Sequence, residues 1–266
     1  MELIIKPILD PVAFEIYGFQ IRWYGIIMSV SIFIGALFAY KLISNKISKK
    51  SADIFLDFSP LLILFSIIGA RLFYVIAKWD YYSLNLKEII MINHGGLSIW
   101  GAIIFGMLSF SLIAKLKKLE MVKIFDILAI AMPLCQSVGR FGNYFNQEAY
   151  GKPTDLFLKL YVSPIYRKEE YFNFEYFHPT FLYESFLNLA LFIVLFFIYL
   201  KFPKLKQGII LCLYFIGYSI IRFCIESIRI DSVFNVKTIP IAQIICLVAL
   251  VISIVCLVKN CIKKGA

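Results

Sequence analysis

A polar segment with three glycines, GRFGNYFNQEAYG at 139–151, directly follows an apolar run. It brings the guanidinium of Arg140, the amide of Asn143 and the carboxylate of Glu148 close together in the chain. A guanidinium presents a planar set of donors that matches phosphate oxygens, and an arginine at the edge of a lipid-buried segment is costly to hold there. The segment therefore predicts a polar pocket for an anion. A solvated loop with a snorkelling arginine is the alternative.

A second polar group lies at the end of an apolar run near 208–228. It consists of Tyr218, Arg222, Glu226 and Arg229. On a continuous helix these side chains share an arc of roughly 80°, and a polar stripe on a membrane helix faces the interior of the bundle. The spacing predicts a ligand site, or a structural ion pair between Arg222 and Glu226, which leaves the other two residues unexplained.

The segment HPTFLYE at 178–184 opens another apolar run. His178 could titrate near neutral pH and act in catalysis, although a lone histidine is more often structural. Glu184 lies about one turn inside the run, where a carboxylate needs a cationic partner.

Two further motifs precede apolar runs. Tyr24 lies in RWYG, where an aromatic residue either belongs to a functional site or anchors the helix at the membrane interface. The segment HGGLSIWG at 94–101 starts with His94 and holds the other residues of interest, which are Gly95, Gly96, Ser98 and Trp100. Its glycines could expose backbone N–H groups to an anion, or form a tight loop before a helix in which Gly101 and Gly106 allow close packing.

The composition requires a lipid environment for these motifs. Of the 266 residues, 61% are hydrophobic and 17% are charged, whereas soluble domains are about 45–50% apolar. The net charge of +10 comes with lysines in short clusters between apolar runs, a pattern that is typical of membrane topology and not of nucleic-acid binding. We therefore expect an integral membrane protein with no nucleic-acid partner.

Seven apolar runs are long enough to be candidate transmembrane helices. They lie near 22–42, 54–77, 97–114, 123–138, 179–200, 208–228 and 239–258. The lysine clusters predict an N-terminus outside and a cytoplasmic C-terminus. The predicted fold is a single all-α membrane domain over 1–266, with 143–177 forming most of a small extracytoplasmic cap.

This topology places residues from distant parts of the chain at the same depth in the bilayer. The residues at or near the outer ends of their spans are Arg140, His178, Arg222, Glu226 and Arg229. Two arginines that converge at headgroup depth predict a site for a lipid phosphate.

Five segments in order, WYG, GGLSIWG, GRFGNYFNQEAYG, HPTFLYE and RFCIESIRID, resemble the prolipoprotein diacylglyceryl transferase family of bacteria over nearly the whole chain. The resemblance implies transfer of the sn-1,2-diacylglyceryl group from phosphatidylglycerol to the cysteine thiol in the lipobox of a prolipoprotein signal peptide. The products are a thioether and glycerol phosphate. It also implies seven spans in a bacterial cytoplasmic membrane, and neither a cofactor nor a metal is expected.

Carried over by motif, the resemblance implies functional roles for Tyr24, Arg140, Asn143, Gly151 and Arg222, and motif positions at Glu148, His178, Tyr218, Glu226 and Arg229. Trp100 departs from the pattern, because many members carry at this position a histidine that has been proposed as the base for the thiol. Glu226, Glu148 and His178 are the candidates for the base in this chain.

Two other functions are compatible with a membrane protein that binds anions. The first is a transporter or binding protein for an anionic lipid or solute. The second is a membrane hydrolase, but the chain contains neither an HExxH nor a GxSxG motif. Neither alternative explains five motifs in the order of one family.

Overall fold

The computed structural model describes residues 3–6, 10–91, 95–230, 235–236 and 239–262, so that His94 lies outside the described residues. The helices are α1 (Trp23–Lys46), α2 (Lys49–Ala77), α3 (Trp79–Tyr82), α4 (Ile99–Leu116), α5 (Met121–Gly139), α6 (Phe141–Asn146), α7 (Thr180–Lys201), α8 (Ile209–Ile228) and α9 (Ile241–Ile262). The strands are β1 (Leu3–Ile5), β2 (Val12–Ile16), β3 (Phe19–Arg22), β4 (Leu158–Tyr161), β5 (Tyr176–Phe177), β6 (Asn235–Val236) and β7 (Ile239–Pro240).

Each of the seven apolar runs forms one long helix, namely α1, α2, α4, α5, α7, α8 and α9. Within the described ranges, six helical segments are long and apolar enough to cross a membrane, whereas the apolar part of α4, Trp100–Leu116, is shorter. Large apolar side chains remain exposed on these helices, among them Phe33, Ile76 and Val251. Because lipid is the solvent that covers such surfaces without cost, the prediction of an integral membrane protein is confirmed.

The chain packs into two compact units, residues 40–124 and residues 1–39 with 125–266. In the unit of 40–124, α2 and α4 approach closely because glycines face each other. A Cβ atom on Gly101 would lie 2.1 Å from the carbonyl oxygen of Gly69, and one on Gly106 would lie 2.6 Å from Ser66 Oγ. The expected close packing at these two glycines is therefore confirmed.

The larger unit contains α5, α7, α8 and α9, and polar side chains connect three of these helices. Asp126 of α5 accepts hydrogen bonds from the backbone N–H groups of Gly208, at 2.7 Å, and Leu211, at 2.9 Å. A carboxylate at the start of α8 satisfies donors that the helix itself leaves unpaired. Ser185 Oγ of α7 donates to the carbonyl of Ser137 in α5 at 2.8 Å.

Residues between α6 and α7, together with β1 and Phe181 of α7, pack around a small core of their own, and we call this segment the cap. Its sheet has the order β1-β4-β5, with β1 parallel to β4 and β5 antiparallel to β4. The buried core of the cap consists of Tyr150, Leu160, Val162, Phe177 and Phe181. A separate hairpin of β2 and β3 turns at Tyr17 and Gly18, whose φ angles of 49° and 82° suit a two-residue turn.

Candidate active site

Glu184 is the centre of a buried charged cluster. It lies in α7 with 1% of its surface exposed. Its Oε1 contacts Arg140 Nη2 at 2.5 Å, and its Oε2 contacts Arg222 Nη1 at 3.5 Å. One carboxylate therefore brings together guanidinium groups from the end of α5 and from α8, as the predicted convergence of two arginines requires.

Glu226 supplies the second carboxylate of the cluster. It lies one helical turn after Arg222 on α8, and its Oε2 is 2.6 Å from Arg222 Nη2. The fork of Arg222 thus spans Glu184 and Glu226, which a single ammonium group does less well. The ion pair between Arg222 and Glu226 within α8 was one of the two predictions made for this group of residues. It is present together with the contact between Arg222 and Glu184 of α7.

Asn143 and Glu148 extend the cluster from Arg140 to an exposed carboxylate. Asn143 Oδ1 lies 3.5 Å from Arg140 Nη1, and Asn143 Nδ2 donates to Glu148 Oε1 at 2.9 Å. Asn143 is buried, whereas Glu148 is exposed. The amide therefore connects the buried arginine with a carboxylate that solvent can reach.

Tyr24 and Tyr218 flank the charged cluster on two helices. A Cβ atom on Gly142 would lie 2.8 Å from Tyr24 Cδ2, so that α6 can rest on the tyrosine ring only at a glycine. Tyr218 lies one turn before Arg222 on α8, and its ring stacks on Tyr214 with the centroids 5.8 Å apart. Tyr24 therefore packs on α6, which begins directly after Arg140, and Tyr218 lies on the helix that carries Arg222.

Arg229 is the first residue after α8, one position beyond the predicted run of 208–228, and its N–H still donates to the carbonyl of Ile225. The helix ends at Ile228, and Arg229 has extended angles of φ −66° and ψ 147°. The chain turns away because the carbonyl of Ile228 accepts from the N–H of Lys152, and Arg229 forms a backbone bridge with Gly151.

Gly151 lies where the polar segment meets the ends of two helices. Its N–H donates to the carbonyl of His178 at 3.0 Å. A Cβ atom here would lie 2.8 to 2.9 Å from side-chain atoms of His178, Thr180 and Ile228. A glycine is therefore required by packing, which explains the motif position without a direct contact with a ligand.

His178 is held mainly through its backbone, which pairs with Gly151 and Lys152. Its Nδ1 lies 3.4 Å from the hydroxyl of Tyr183. Partial burial lowers the pKa of the imidazole below its usual value, because desolvation disfavours the charged form. The ring is therefore mainly neutral at pH 7.

The residues Gly95, Gly96, Ser98 and Trp100 belong to the other compact unit. Their segment is fixed by Arg71 of α2, which is 6% exposed and donates to backbone carbonyls. The acceptors are the carbonyl oxygens of Glu88, Ile89, Met91, Gly95 and Gly96, at 2.5 to 3.2 Å. Both glycines have positive φ angles, 80° and 77°, which side chains disfavour.

Two residues that the sequence analysis did not assign to the site have central contacts. Glu184 was recognised only as a carboxylate in need of a cation, and its position one turn inside an apolar run was the available signal. Arg71 was not identified, although an arginine within the apolar run IIGARLFYV of α2 is the same kind of signal.

The side chains of Arg140 and Arg222 remain partly exposed, although they pair with a buried carboxylate. The side chains of Arg140 and Arg222 are 21% and 17% exposed, whereas that of Glu184 is 2% exposed. Each guanidinium has five N–H donors, so that donors remain for an anion while others hold Glu184.

The chain is thus an integral membrane protein with a charged cluster where α5, α7 and α8 meet, and comparison with known proteins gives its family. The model of the prolipoprotein diacylglyceryl transferase family matches residues 11–259. The chain is 37% identical over 256 residues to the phosphatidylglycerol–prolipoprotein diacylglyceryl transferase of Finegoldia magna, covering 94% of this chain and 96% of the relative.

Proteins with the same name from two other bacteria are similarly close. The Clostridium novyi protein is 38% identical over 258 residues, covering 96% of this chain and 98% of the relative. A Staphylococcus aureus protein is 39% identical over 256 residues, covering 96% of this chain and 90% of the relative. The chain belongs to the prolipoprotein diacylglyceryl transferase family.

Proposed function

We propose that this protein transfers the sn-1,2-diacylglyceryl group of phosphatidylglycerol to the lipobox cysteine of prolipoproteins. A new C–S bond forms at the glyceryl carbon that carries the phosphate ester, and the C–O bond to phosphate breaks. The products are the thioether-linked lipid and glycerol phosphate, and one proton leaves the thiol.

The single observation that carries this function is the convergence of Arg140 and Arg222 on the two oxygens of Glu184. The buried carboxylate fixes the two guanidinium groups before a ligand arrives. Their remaining N–H donors are then available to a phosphate at fixed positions. Preorganised donors of this kind stabilise charge that develops in the transition state without a cost of reorganisation.

Charge develops on the phosphate as glycerol phosphate leaves, because the phosphodiester with one negative charge becomes a monoester that can carry two. Arg140 and Arg222 stabilise this charge, while Glu226 orients the fork of Arg222 at 2.6 Å. The same cations favour the thiolate form of an incoming cysteine, which is the nucleophilic form.

Glu148 is our candidate for the group that accepts the thiol proton. Of the carboxylates at the cluster, Glu184 and Glu226 are buried against arginines, whereas Glu148 is exposed and held by Asn143 at 2.9 Å. A base must reach the thiol within hydrogen-bond distance, and an exposed carboxylate meets that condition best. We assign positioning roles to Tyr24, Asn143, Gly151 and Tyr218, and neutral His178 remains the second candidate for the base.

We place the protein in the bacterial cytoplasmic membrane as a single multi-pass domain with seven spans. In this arrangement α4 crosses the membrane in addition to the six longer helical segments. The N-terminus lies outside and the C-terminus is cytoplasmic. The cluster of Arg140 and Arg222 then lies at the outer headgroup level, as a lipid phosphate requires. We assign lipid contacts also to Gly95, Gly96, Ser98, Trp100 and Arg229.

The test uses the purified full-length protein with phosphatidylglycerol and a lipobox peptide, followed by mass analysis of the cysteine. We expect a peptide that gains one diacylglyceryl group and releases one glycerol phosphate. Arg140→Ala and Arg222→Ala should each abolish this product while the folded protein is still recovered from membranes. Near-normal turnover in both variants would reject the phosphate role.

A transporter of an anionic lipid or solute is the alternative function. It predicts exchange of lipid or flux of solute across vesicles, with an unmodified peptide cysteine. The stoichiometry of peptide modification against glycerol phosphate release separates the two functions in one assay.

A further inference from the structure

A cavity of about 370 Å³, with several polar and charged residues in its lining, lies beside the charged cluster. Its walls include Arg22, Asn146, Gln147, Glu148, Tyr166 and Lys168. The cavity shares Glu148 with the hydrogen-bonded chain that leads through Asn143 to Arg140. An occupant of this cavity is therefore a direct neighbour of the cluster.

Gln147 contributes a buried donor without a partner. The residue is 3% exposed and has left-handed backbone angles of φ 50° and ψ 42°. Its Oε1 accepts from the N–H of Ser163 at 2.8 Å, whereas its Nε2 is buried with no hydrogen-bond partner among the described residues. Buried side-chain polar atoms nearly always have a partner, so this donor calls for a ligand.

Asn146 contributes the complementary acceptor. Its Nδ2 lies 3.4 Å from Glu148 Oε1, and its Oδ1 is buried and lacks a partner within the described part of the chain. Neighbouring residues on the wall of one cavity thus carry one unpaired donor and one unpaired acceptor. A peptide group offers the matching pair, a C=O and an N–H.

We propose that this cavity binds the main chain of the prolipoprotein directly after the lipobox cysteine, an inference that rests on the proposed function. The peptide N–H donates to Asn146 Oδ1, and a peptide C=O accepts from Gln147 Nε2. The cysteine thiol then lies beside Glu148 and the arginines. Residues after the cysteine belong to a secreted chain and suit these polar walls, whereas the apolar core of a signal peptide does not.

Glycerol phosphate would be a different occupant of the cavity. Arg22 and Lys168 offer cations to it, but an anion does not explain an unpaired acceptor oxygen on Asn146. The peptide group satisfies both unpaired atoms, and for this reason we favour it.

The experiment combines a change in the peptide with a change in the protein. The substrate is a lipobox peptide in which the amide after the cysteine is replaced by an ester, so that one N–H is lost. For the wild-type protein we expect kcat/KM to fall about five- to tenfold, the factor for one hydrogen bond. For Asn146→Ala the amide and ester peptides should react equally, whereas the control Asn173→Ala, an exposed asparagine of the cap, should keep the wild-type ratio.

Gln147→Glu tests the donor without removing the oxygen that accepts from Ser163. We expect the KM for the peptide to rise about tenfold, with an unchanged KM for phosphatidylglycerol. Gln20→Glu, an exposed glutamine in β3, is the matched control and should leave both constants unchanged.

Two outcomes separate this inference from the proposed function. If the ester lowers kcat/KM by the same factor in wild type and Asn146→Ala, and Gln147→Glu leaves the peptide KM unchanged, the cavity does not bind the peptide, although lipidation itself stands. If the wild-type protein does not lipidate the amide peptide at all, both proposals are overturned.

Discussion

Arg140 and Glu184 form an ion pair with Nη2 and Oε1 2.5 Å apart, although 44 residues separate them in the chain. The contact joins the end of α5 to the first turns of α7, next to the hydrogen bond between Ser185 and Ser137. A membrane interior makes an unpaired charge costly. The pair therefore fixes the relative position of two helices and the direction of a guanidinium together.

Glu184→Gln should destabilise the protein and impair transfer. The variant keeps the shape of the side chain but leaves Arg140 and Arg222 close together without their shared counter-charge. We expect a loss of about 3 kcal/mol in the free energy of unfolding and a decrease of about 100-fold in kcat. Thermal unfolding in detergent and the lipid-transfer assay measure the two effects.

The matched control for this substitution is Glu120→Gln. Glu120 forms an ion pair with Lys123, and both side chains are exposed, at 47% and 39%. Exposed pairs contribute about 0–1 kcal/mol, so stability should hardly change. Equal effects of the two substitutions would contradict the central role of Glu184.

Gly101→Ala should separate α2 from α4. The added Cβ atom would meet the backbone oxygen of Gly69 at 2.1 Å, and backbone cannot rotate away as a side chain can. Overpacking of this kind costs about 1–3 kcal/mol, which thermal unfolding would detect. Gly25→Ala is the control, because no atom lies within 4 Å of its added Cβ atom, and it should be neutral or slightly stabilising. A neutral Gly101→Ala would show that the helices do not approach so closely.

Stability should depend on pH through His178. Burial holds the pKa of the folded imidazole below its usual value, which is about 6.5 in an unfolded chain. The unfolded state therefore binds more protons between these two pKa values. The contribution to stability is complete above about pH 6.5 and is lost as the pH falls through the folded-state pKa.

His178→Gln tests this pH dependence, because glutamine does not titrate. We expect a flatter dependence of the melting temperature between about pH 7.5 and 5 than in the wild-type protein. An unchanged slope would assign the pH dependence to other groups.

Arg71→Lys should loosen the segment that holds Gly95 and Gly96. An ammonium group has three donors, fewer than the five carbonyl contacts that Arg71 makes. We expect faster backbone hydrogen exchange at 86–91 and 95–98, with the exchange of α7 and α8 unchanged. Arg167→Lys in the cap is the control, and it should leave exchange at 86–91 and 95–98 as in the wild type.

The sequence predicted the long helices well, because hydrophobic length alone decides which segments a bilayer can hold. The end of α8 at Ile228 agrees with the predicted run of 208–228, and pairing of Ile228 with Lys152 stabilises that end. The short helix α6 was not identified.

By itself, the sequence determined that this is a membrane protein, which segments are its helices and which charged residues need partners. Only the tertiary structure decided that Glu184 is the partner of both Arg140 and Arg222, and that Arg71 binds backbone carbonyls instead of a carboxylate. The physical reason is that burial makes pairing of a charge obligatory but does not specify the partner. Helix packing selects that partner from residues far away in the chain.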